Sequence, residues 1–357
     1  MKSAERPIVT RFCDLVAVRH PIVQTGMGWV AGPRLVVASA EAGALGILAS
    51  ATMSLEELRA AIREVRSRTT EPFGVNFRAD AADVDARVAL IIEEGVQVAS
   101  VVGAPAGRLV DRLKEGGVVV MPTVAQRRHA EKVAALGVDA LIAQGSEGGG
   151  HTGSVPTSLL VPDVVDAVGG EVVVLAAGGM HDGRSLAAAL AWGADGIAMG
   201  TRFLLTKEST VPDEVKARYL STGLSGTVVS RAVDGAPQRV IATGYVERLE
   251  ASGSLARLFR ALASARAFRR DSGLSLPGIV REGLAMKRGS ELSFAQVLMA
   301  ANAPMMTKAA LVDGRLDAGV LPTGQVVGRI EDLESVSDLV GEVVSGARAV
   351  LDRMQSL

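Results

Sequence analysis

The chain of 357 residues is 48% hydrophobic but only 3% aromatic, so it is built from small aliphatics and is long enough to bury a large core. With 38 Lys and Arg against 39 Asp and Glu it carries a net charge of −1, which excludes a global field for holding nucleic acid or an anionic membrane. The single cysteine, Cys13, excludes an internal disulfide framework and a multi-cysteine zinc or iron–sulfur centre.

The first twenty residues mix charge throughout and offer no apolar segment ahead of a small-residue cleavage site. The apolar stretch 175–201 is interrupted by Gly178, Gly179, His181, Asp182, Gly183 and Arg184, so it does not read as a bilayer crossing. A cytoplasmic protein acting on a small molecule, away from membranes and nucleic acid, is the expectation.

Eight short apolar runs recur in the first two hundred residues, at 21–24, 45–49, 73–77, 96–102, 118–122, 140–143, 172–176 and 196–199. Each reads as a strand buried on both faces, as a parallel sheet requires. Amphipathic segments separate them. Residues 55–66 place Leu55, Leu58, Ile62 and Val65 on one stripe, with Ser54 as the N-cap and Glu57 three residues on. Residues 83–94, 108–115, 126–136 and 183–192 repeat the pattern. Eight successive strand–helix units are the number at which a (β/α) barrel closes, so the expected fold class is α/β, a TIM barrel. A doubly wound open sheet is the rival. Against it, no G-x-G-x-x-G follows the first strand, where Gln24-Thr25-Gly26-Met27-Gly28 stands instead.

After residue 201 no ninth apolar run arrives, and 211–310 reads as helices separated by Gly-rich turns, a helical cap. Within it Arg257, Arg260, Arg266, Arg269, Arg270, Arg281, Lys287 and Arg288 outnumber Asp271 and Glu282. That surplus reads either as solvated helix faces or as a surface for a phosphate-bearing substrate such as a coenzyme A thioester. Residues 314–328 form a Gly-rich loop expected to return to the barrel mouth, ahead of a terminal helix over 333–354. The chain thus divides into a barrel over 1–209, a helical cap over 210–310, and a return loop with a C-terminal helix packed on the barrel over 311–357. A homodimer through the cap is expected.

A barrel of this kind carries its site at the C-terminal ends of its strands. The loop after the seventh run is Ala177-Gly178-Gly179-Met180, and the eighth run leads through Ala198 and Met199 into Gly200 and Thr201. Glycines there let backbone N–H groups approach an anion, and those two loops are the usual phosphate site of the fold. Flavin mononucleotide, FMN, fits such a cradle; tight turns alone are the plainer reading. The loop after the sixth run, residues 144–153, is more specific: Gly148, Gly149 and Gly150 lead directly into His151. An imidazole held at a strand end is suited to proton transfer near neutral pH, which makes His151 the catalytic candidate. His20, His129 and His181 read as structural. Gln144 and Asn76 offer strand-end amides, as flavin-edge donors or simple caps. No His, Cys and carboxylate set has ligand spacing, so no metal site is expected. Cys13 precedes the first strand, on the wrong side for covalent catalysis.

Together, residues 21–27 (PIVQTGM), 73–76 (FGVN), 144–153 (QGSEGGGHTG), 177–179 (AGG) and 199–203 (MGTRF) resemble the nitronate monooxygenase family, and the resemblance spans about residues 7–330. It implies an FMN-binding TIM barrel with a helical second domain. It further implies that Gly26 and Met27 touch the flavin, that Asn76 and Gln144 hydrogen-bond it, and that Gly149 packs near it. Gly179, Ala198, Met199, Gly200 and Thr201 would bind its phosphate, and His151 would act as the base toward a carbon acid. Residues 24–32 and 298–305, with the basic cap, look like the actinobacterial flavoproteins of steroid ring C/D breakdown. That branch implies NAD(H)-linked chemistry beside a CoA thioester. Oxygen-dependent oxidation of nitronates, enoyl-thioester reduction and NADH:quinone reduction are the family alternatives. His151 follows Gly-Gly-Gly where many family members have Ala-Gly-Gly, which leaves the substrate side open.

Overall fold

Eight parallel strands close on themselves in the computed structural model, which describes residues 8–251 and 294–357. They are β1 (Ile22–Gln24), β2 (Leu45–Ala49), β3 (Phe73–Arg78), β4 (Val98–Val102), β5 (Val119–Val124), β6 (Ala140–Gln144), β8 (Val173–Ala177) and β9 (Gly196–Met199). These are the eight runs read from the sequence, and the fold is a TIM barrel. Closure comes from β1, which pairs with β2 on one side and, through Ile22↔Ile197, Val23↔Ala198 and Gln24↔Met199, with β9 on the other.

Pairing register decides which side chains fill the barrel. Val23, Leu45, Ile47, Val98, Met121, Ala140, Ile142, Val173, Leu175, Ala177 and Ala198 form one buried interior cluster, and alternate residues face the helices. The helix Arg11–Val16 adds Phe12 and Val16 to the base of that cluster. It is held there by Thr10 Oγ1 and the Arg11 guanidinium, which donate to the Asp195 backbone and side chain at 2.6–2.8 Å.

The helix Leu55–Arg68 carries the capping box expected of Ser54 and Glu57: the Ser54 amide donates to Glu57 Oε2 at 2.7 Å and the Glu57 amide to Ser54 Oγ at 3.2 Å. Leu58, Ile62 and Val65 are buried against the sheet. Helices Val84–Glu93, Gly107–Glu115, Arg127–Ala134 and Gly183–Ala191 fall where the periodicity placed them.

After β9 the chain departs from the repeating unit. Only the short helix Thr201–Leu204 follows, and the outer-ring position beside β9 is filled by the C-terminal helix Val336–Gln355, which packs against helices Gly183–Ala191 and Pro33–Glu41. Gly183 allows the close approach, since a Cβ there would collide with the backbone of Gly346 and Ala347.

The expectation of an all-helical region after residue 210 is corrected. Helices Asp213–Leu220 and Gly244–Ala251 flank two strands, β10 (Thr227–Ser230) and β11 (Gln238–Ile241), which form an antiparallel sheet with β7 (Gly150–His151) in the order β10-β11-β7. Each strand of the hairpin is only four residues long, and its third member is borrowed from a loop far upstream, so no apolar run announces it. The basic cluster from Arg257 to Arg288, with Asp271 and Glu282, lies outside the described residues. Among the described residues, no helix is long and apolar enough to cross a membrane.

Replacing Phe12, fully buried at the barrel base, by Ala should cost about 3–5 kcal/mol, the usual range for a buried aromatic. Urea unfolding of the two proteins measures it.

Candidate active site

The strand register turns Ala49, Asn76, Ser100, Thr123, Gln144 and Ala177 into the mouth of the barrel, since each stands in line with an interior residue. Polar groups therefore crowd one side of the mouth, from β3 to β6. Asn76 Nδ2 donates to Ser100 O at 3.3 Å, and Ser100 is a member of this rim that sequence reasoning missed. Its Ser-Val-Val context gave no chemical signal; the pairing of β3 with β4 did.

The loop after β1 crosses this mouth. Gly26 lies so close to Asn76 that a Cβ would overlap the amide side chain, and Met27 Sδ would stand 3.4 Å from a Cβ on Gly200. Thr25 donates from its amide and its Oγ1 to Met199 O at 3.2 and 3.3 Å. Gly26, Met27, Asn76 and Gly200 are thus brought together. Ala198 faces the interior cluster, whereas the Met199 side chain faces the helices and offers the mouth only its backbone.

Trp29, two residues beyond Met27, takes the left-handed conformation at φ 66° and donates from Nε1 to Pro304 O at 3.2 Å. A bulky residue seldom occupies that region, and here it ties the loop after β1 to helix Phe294–Leu311.

The loop carrying His151 is gripped from four directions. Gln144 Nε2 donates to His151 O at 2.7 Å, so part of the amide expected at the flavin edge holds the loop instead. β7 pairs with β11 through Gln238↔His151 and Arg239↔Gly150. Arg239 donates to Ser146 O at 3.0 Å and to Thr227 Oγ1 at 2.9 Å; burial lowers the pKa of its guanidinium, against the opposing pull of Glu147. Glu147 accepts from the amide and hydroxyl of Thr157 at 2.9 and 2.7 Å, placing a carboxylate at the N-terminus of helix Thr157–Val168.

The fourth grip is the return segment. The Gln325 amide donates to Glu147 O at 2.9 Å and the Gly324 amide to Thr201 Oγ1 at 2.8 Å. A Cβ on Gly149 would come within 2.5 Å of Gly324 N and Thr323 C, so that glycine is demanded by the return segment.

His151 presents an imidazole with 56% of its side chain exposed, at the mouth. Its Nε2 lies 2.7 Å from Oδ2 of Asp234, whose side chain is only 7% exposed. Gln238 donates to the same carboxylate oxygen, and the Ala236 amide donates to Oδ1 at 3.1 Å. Burial works against the charge on Asp234, yet the bonds from His151, Ala236 and Gln238 hold its carboxyl below the usual carboxylate range. Sequence reasoning missed both residues. The Asp234-Gly235 pair between β10 and β11 is a turn signal, but nothing in it points to a histidine 83 positions upstream.

At the end of β3, Arg78 and Asp80 form a two-bond pair at 2.9 and 2.7 Å, and the guanidinium holds the Asp80 carboxyl below its ordinary value.

On the opposite side of the mouth, Gly178 and Gly179 have φ of 94° and 77°, and around a Cβ at Gly179 only Glu147 Cβ would lie within 4 Å, at 3.9 Å. The backbone is thus open at Gly179, whereas a Cβ on Gly178 would press on Thr157 Oγ1 at 2.8 Å. His181, beyond it, contacts Gly179 O and Ser185 Oγ at 3.3 Å, and burial lowers its pKa in spite of Asp182.

Matched against known families, residues 10–346 fit the model of nitronate monooxygenase. The chain belongs to this family. It is 58% identical, over 98% of both chains, to (3aS,4S,5R,7aS)-5-hydroxy-7a-methyl-1-oxo-octahydro-1H-indene-4-carboxyl-CoA dehydrogenase of Mycobacterium tuberculosis (strain ATCC 25618 / H37Rv). The dehydrogenase of the same name from Rhodococcus jostii (strain RHA1) is 54% identical over the same shares. Among solved structures, FabK from Thermotoga maritima superposes with a TM-score of 0.80 at 32% identity, over 98% of this chain and 99% of that one. The nitronate monooxygenase resemblance read from the motifs is therefore correct.

Asp182 caps helix Gly183–Ala191 beside the cradle, accepting from the Ser185 amide at 3.0 Å. Burial raises its carboxyl pKa, but Ser185, Arg184 and His181 prevail and the net shift is downward. A depressed folded value means the cap stabilises above the unfolded pKa and ceases to do so as pH falls through the folded one. Asp182→Ala should therefore cost about 1 kcal/mol at neutral pH, as lost caps do, and the difference from the parent should vanish in strong acid. Urea unfolding across that pH range measures both.

Proposed function

We propose that the protein is an FMN-dependent oxidoreductase that removes hydrogen beside the carbonyl of a CoA thioester with a methyl-oxo-indane skeleton, in steroid ring C/D breakdown, with NAD(H) as its nicotinamide partner. The observation that carries this reading is the 58% identity, over essentially the full length of both chains, to a dehydrogenase of such an ester. The mouth is compatible with a flat, singly phosphorylated cofactor. Its floor is polar on one side, with Asn76, Ser100, Thr123 and Gln144, and small on the other, with Ala49, Ala177 and Gly200. Backbone free of side chains opens at Gly179.

In this reading Gly26, Met27, Asn76 and Gln144 hold the flavin ring, with Gly149 supporting the loop above it. Gly179, Ala198, Met199, Gly200 and Thr201 hold the phosphate through backbone and the Thr201 hydroxyl. Bound there, FMN supplies the hydride acceptor. The remaining chemistry belongs to the protein. A carbon next to a thioester carbonyl is a weak acid, and its proton must leave to a base held over that carbon while the β-carbon gives up a hydride. His151 is that base: it stands at the mouth, exposed to substrate and fixed through both backbone and ring. Trp29 ties the loop after β1 to helix Phe294–Leu311.

Oxidation of alkyl nitronates with oxygen is the second reading, favoured by the family match itself. A nitroalkane poses the same carbon-acid problem to His151.

Anaerobic titration of the purified protein separates them. A yellow protein bleached by NADH or by a polycyclic acyl-CoA ester, and indifferent to nitronate, is the expected result. Bleaching by nitronate alone moves the activity to the second reading, and a colourless protein that cannot be reconstituted with FMN overturns both. His151→Ala should lower turnover roughly 10²-fold or more while retaining the yellow colour.

A further inference from the structure

Either ring nitrogen of a neutral histidine can serve as a base, and the hydrogen bond made by the other decides which. In this chain the two nitrogens are not equivalent, because one of them is already taken. His151 Nε2 lies 2.7 Å from Asp234 Oδ2 and 3.2 Å from Gln238 Nε2. Gln238 also donates to that carboxylate oxygen. A carboxylate accepts only, and an amide nitrogen donates only. If Nε2 carried a lone pair, it would face the Asp234 oxygen acceptor to acceptor at hydrogen-bond distance, in a site where Asp234 is buried. If Nε2 carries the proton, it and the Gln238 amide both donate to one oxygen, and their own 3.2 Å approach is the geometric result of sharing it.

We propose that Asp234 and Gln238 are positioning residues that lock the His151 proton on Nε2 and leave Nδ1 as the nitrogen that meets substrate. The assignment of the proton stands on this hydrogen-bond geometry; its use in removing the substrate proton rests on the function proposed above.

Three further observations fit. Asp234 is fully served on both oxygens, Oδ1 by the Ala236 amide and Oδ2 by His151 and Gln238, which keeps it an ionised acceptor and bars it from taking up the proton itself. The His151 backbone is fastened independently by Gln144 and by pairing with Gln238, which fixes the point from which the ring reaches Asp234. Arg78 and Asp80, whose charges reach Asp234 and His151, are bonded to each other, and neither makes a hydrogen bond to the imidazole. When Nδ1 takes a proton from substrate, the resulting imidazolium faces the Asp234 carboxylate at 2.7 Å, and the charge formed is met at once by a buried opposite charge. The proton then leaves Nδ1 to solvent, to which the side chain is open, returning His151 to its starting form.

The test is long-range proton–nitrogen NMR on the holoprotein labelled with ¹⁵N-histidine, which contains four histidines in all. The His151 ring, assigned by its disappearance in His151→Gln, should show a protonated Nε2 and a bare Nδ1 when neutral. In Asp234→Asn the side chain can donate instead, and the bare nitrogen should move to Nε2. Turnover should then fall by up to about 10⁴-fold, the loss seen when a carboxylate orienting a catalytic histidine becomes an amide. KM should change little, and Asp234→Glu should restore part of the loss. A bare Nε2 in the parent protein overturns the proposal without need of any variant. An unchanged tautomer in a folded Asp234→Asn protein also overturns it. If the parent shows a protonated Nε2 but no acyl-CoA ester bleaches the protein, the proton assignment stands and the substrate reading falls.

Discussion

An eight-stranded parallel barrel has no free edge, and everything at its mouth depends on how the last strand meets the first. Here that seam is three residues long. Ile22, Val23 and Gln24 must fall in line with Ile197, Ala198 and Met199, and Gly196 must stay bare because a Cβ would strike the Pro21 carbonyl. Slipping the seam by one residue would turn Val23 and Ala198 toward the helices. Propagated around the ring, the same slip would turn Asn76 and Gln144 out of the mouth. The polarity of one half of the mouth and the smallness of the other are thus consequences of a closure made almost entirely of aliphatic contacts.

On that floor the reactive group is assembled from distant pieces. His151 rides a loop between β6 and helix Thr157–Val168, but its ring is oriented from the β10–β11 hairpin and its loop is buttressed by residues 323–325. Each contact alone is a single hydrogen bond or a single bare glycine. Their joint effect is that an imidazole on a run of glycines, the most pliable sequence available, is tied to separate parts of the chain.

Much of this was legible in the sequence. Buried parallel strands announce themselves because both faces are apolar, and all eight did; the glycine loops after β8 and β9 and the Gly-Gly-Gly-His loop were visible because glycines and a histidine at strand ends are unusual in a barrel core. The hairpin was not legible. Thr227-Val-Val-Ser and Gln238-Arg-Val-Ile are half polar and too short to show a period, and their pairing partner is β7, itself two residues of a loop. Asp234 and Gln238 were hidden for the same reason, because their meaning lies wholly in what they face. Gln144 shows the converse limit: its place at a strand end was read correctly, whereas the commitment of its amide to the His151 carbonyl follows from the fold of the loop beyond it. Gly149 was expected near a flavin, and the structure adds that its missing side chain makes room for Gly324.

The helix Val336–Gln355 fills the place in the outer ring that a helix directly after β9 would otherwise occupy. A ribosome making this chain therefore delivers all eight strands long before the last stave of the barrel wall. Until that helix emerges, the apolar flanks of Gly183–Ala191 and Pro33–Glu41 have no cover, and the return segment that braces Gly149 and Thr201 has nothing beyond it to anchor. Maturation of the barrel and completion of its mouth therefore wait on the same late-made segments, and the nascent chain must keep an adhesive groove out of trouble until then.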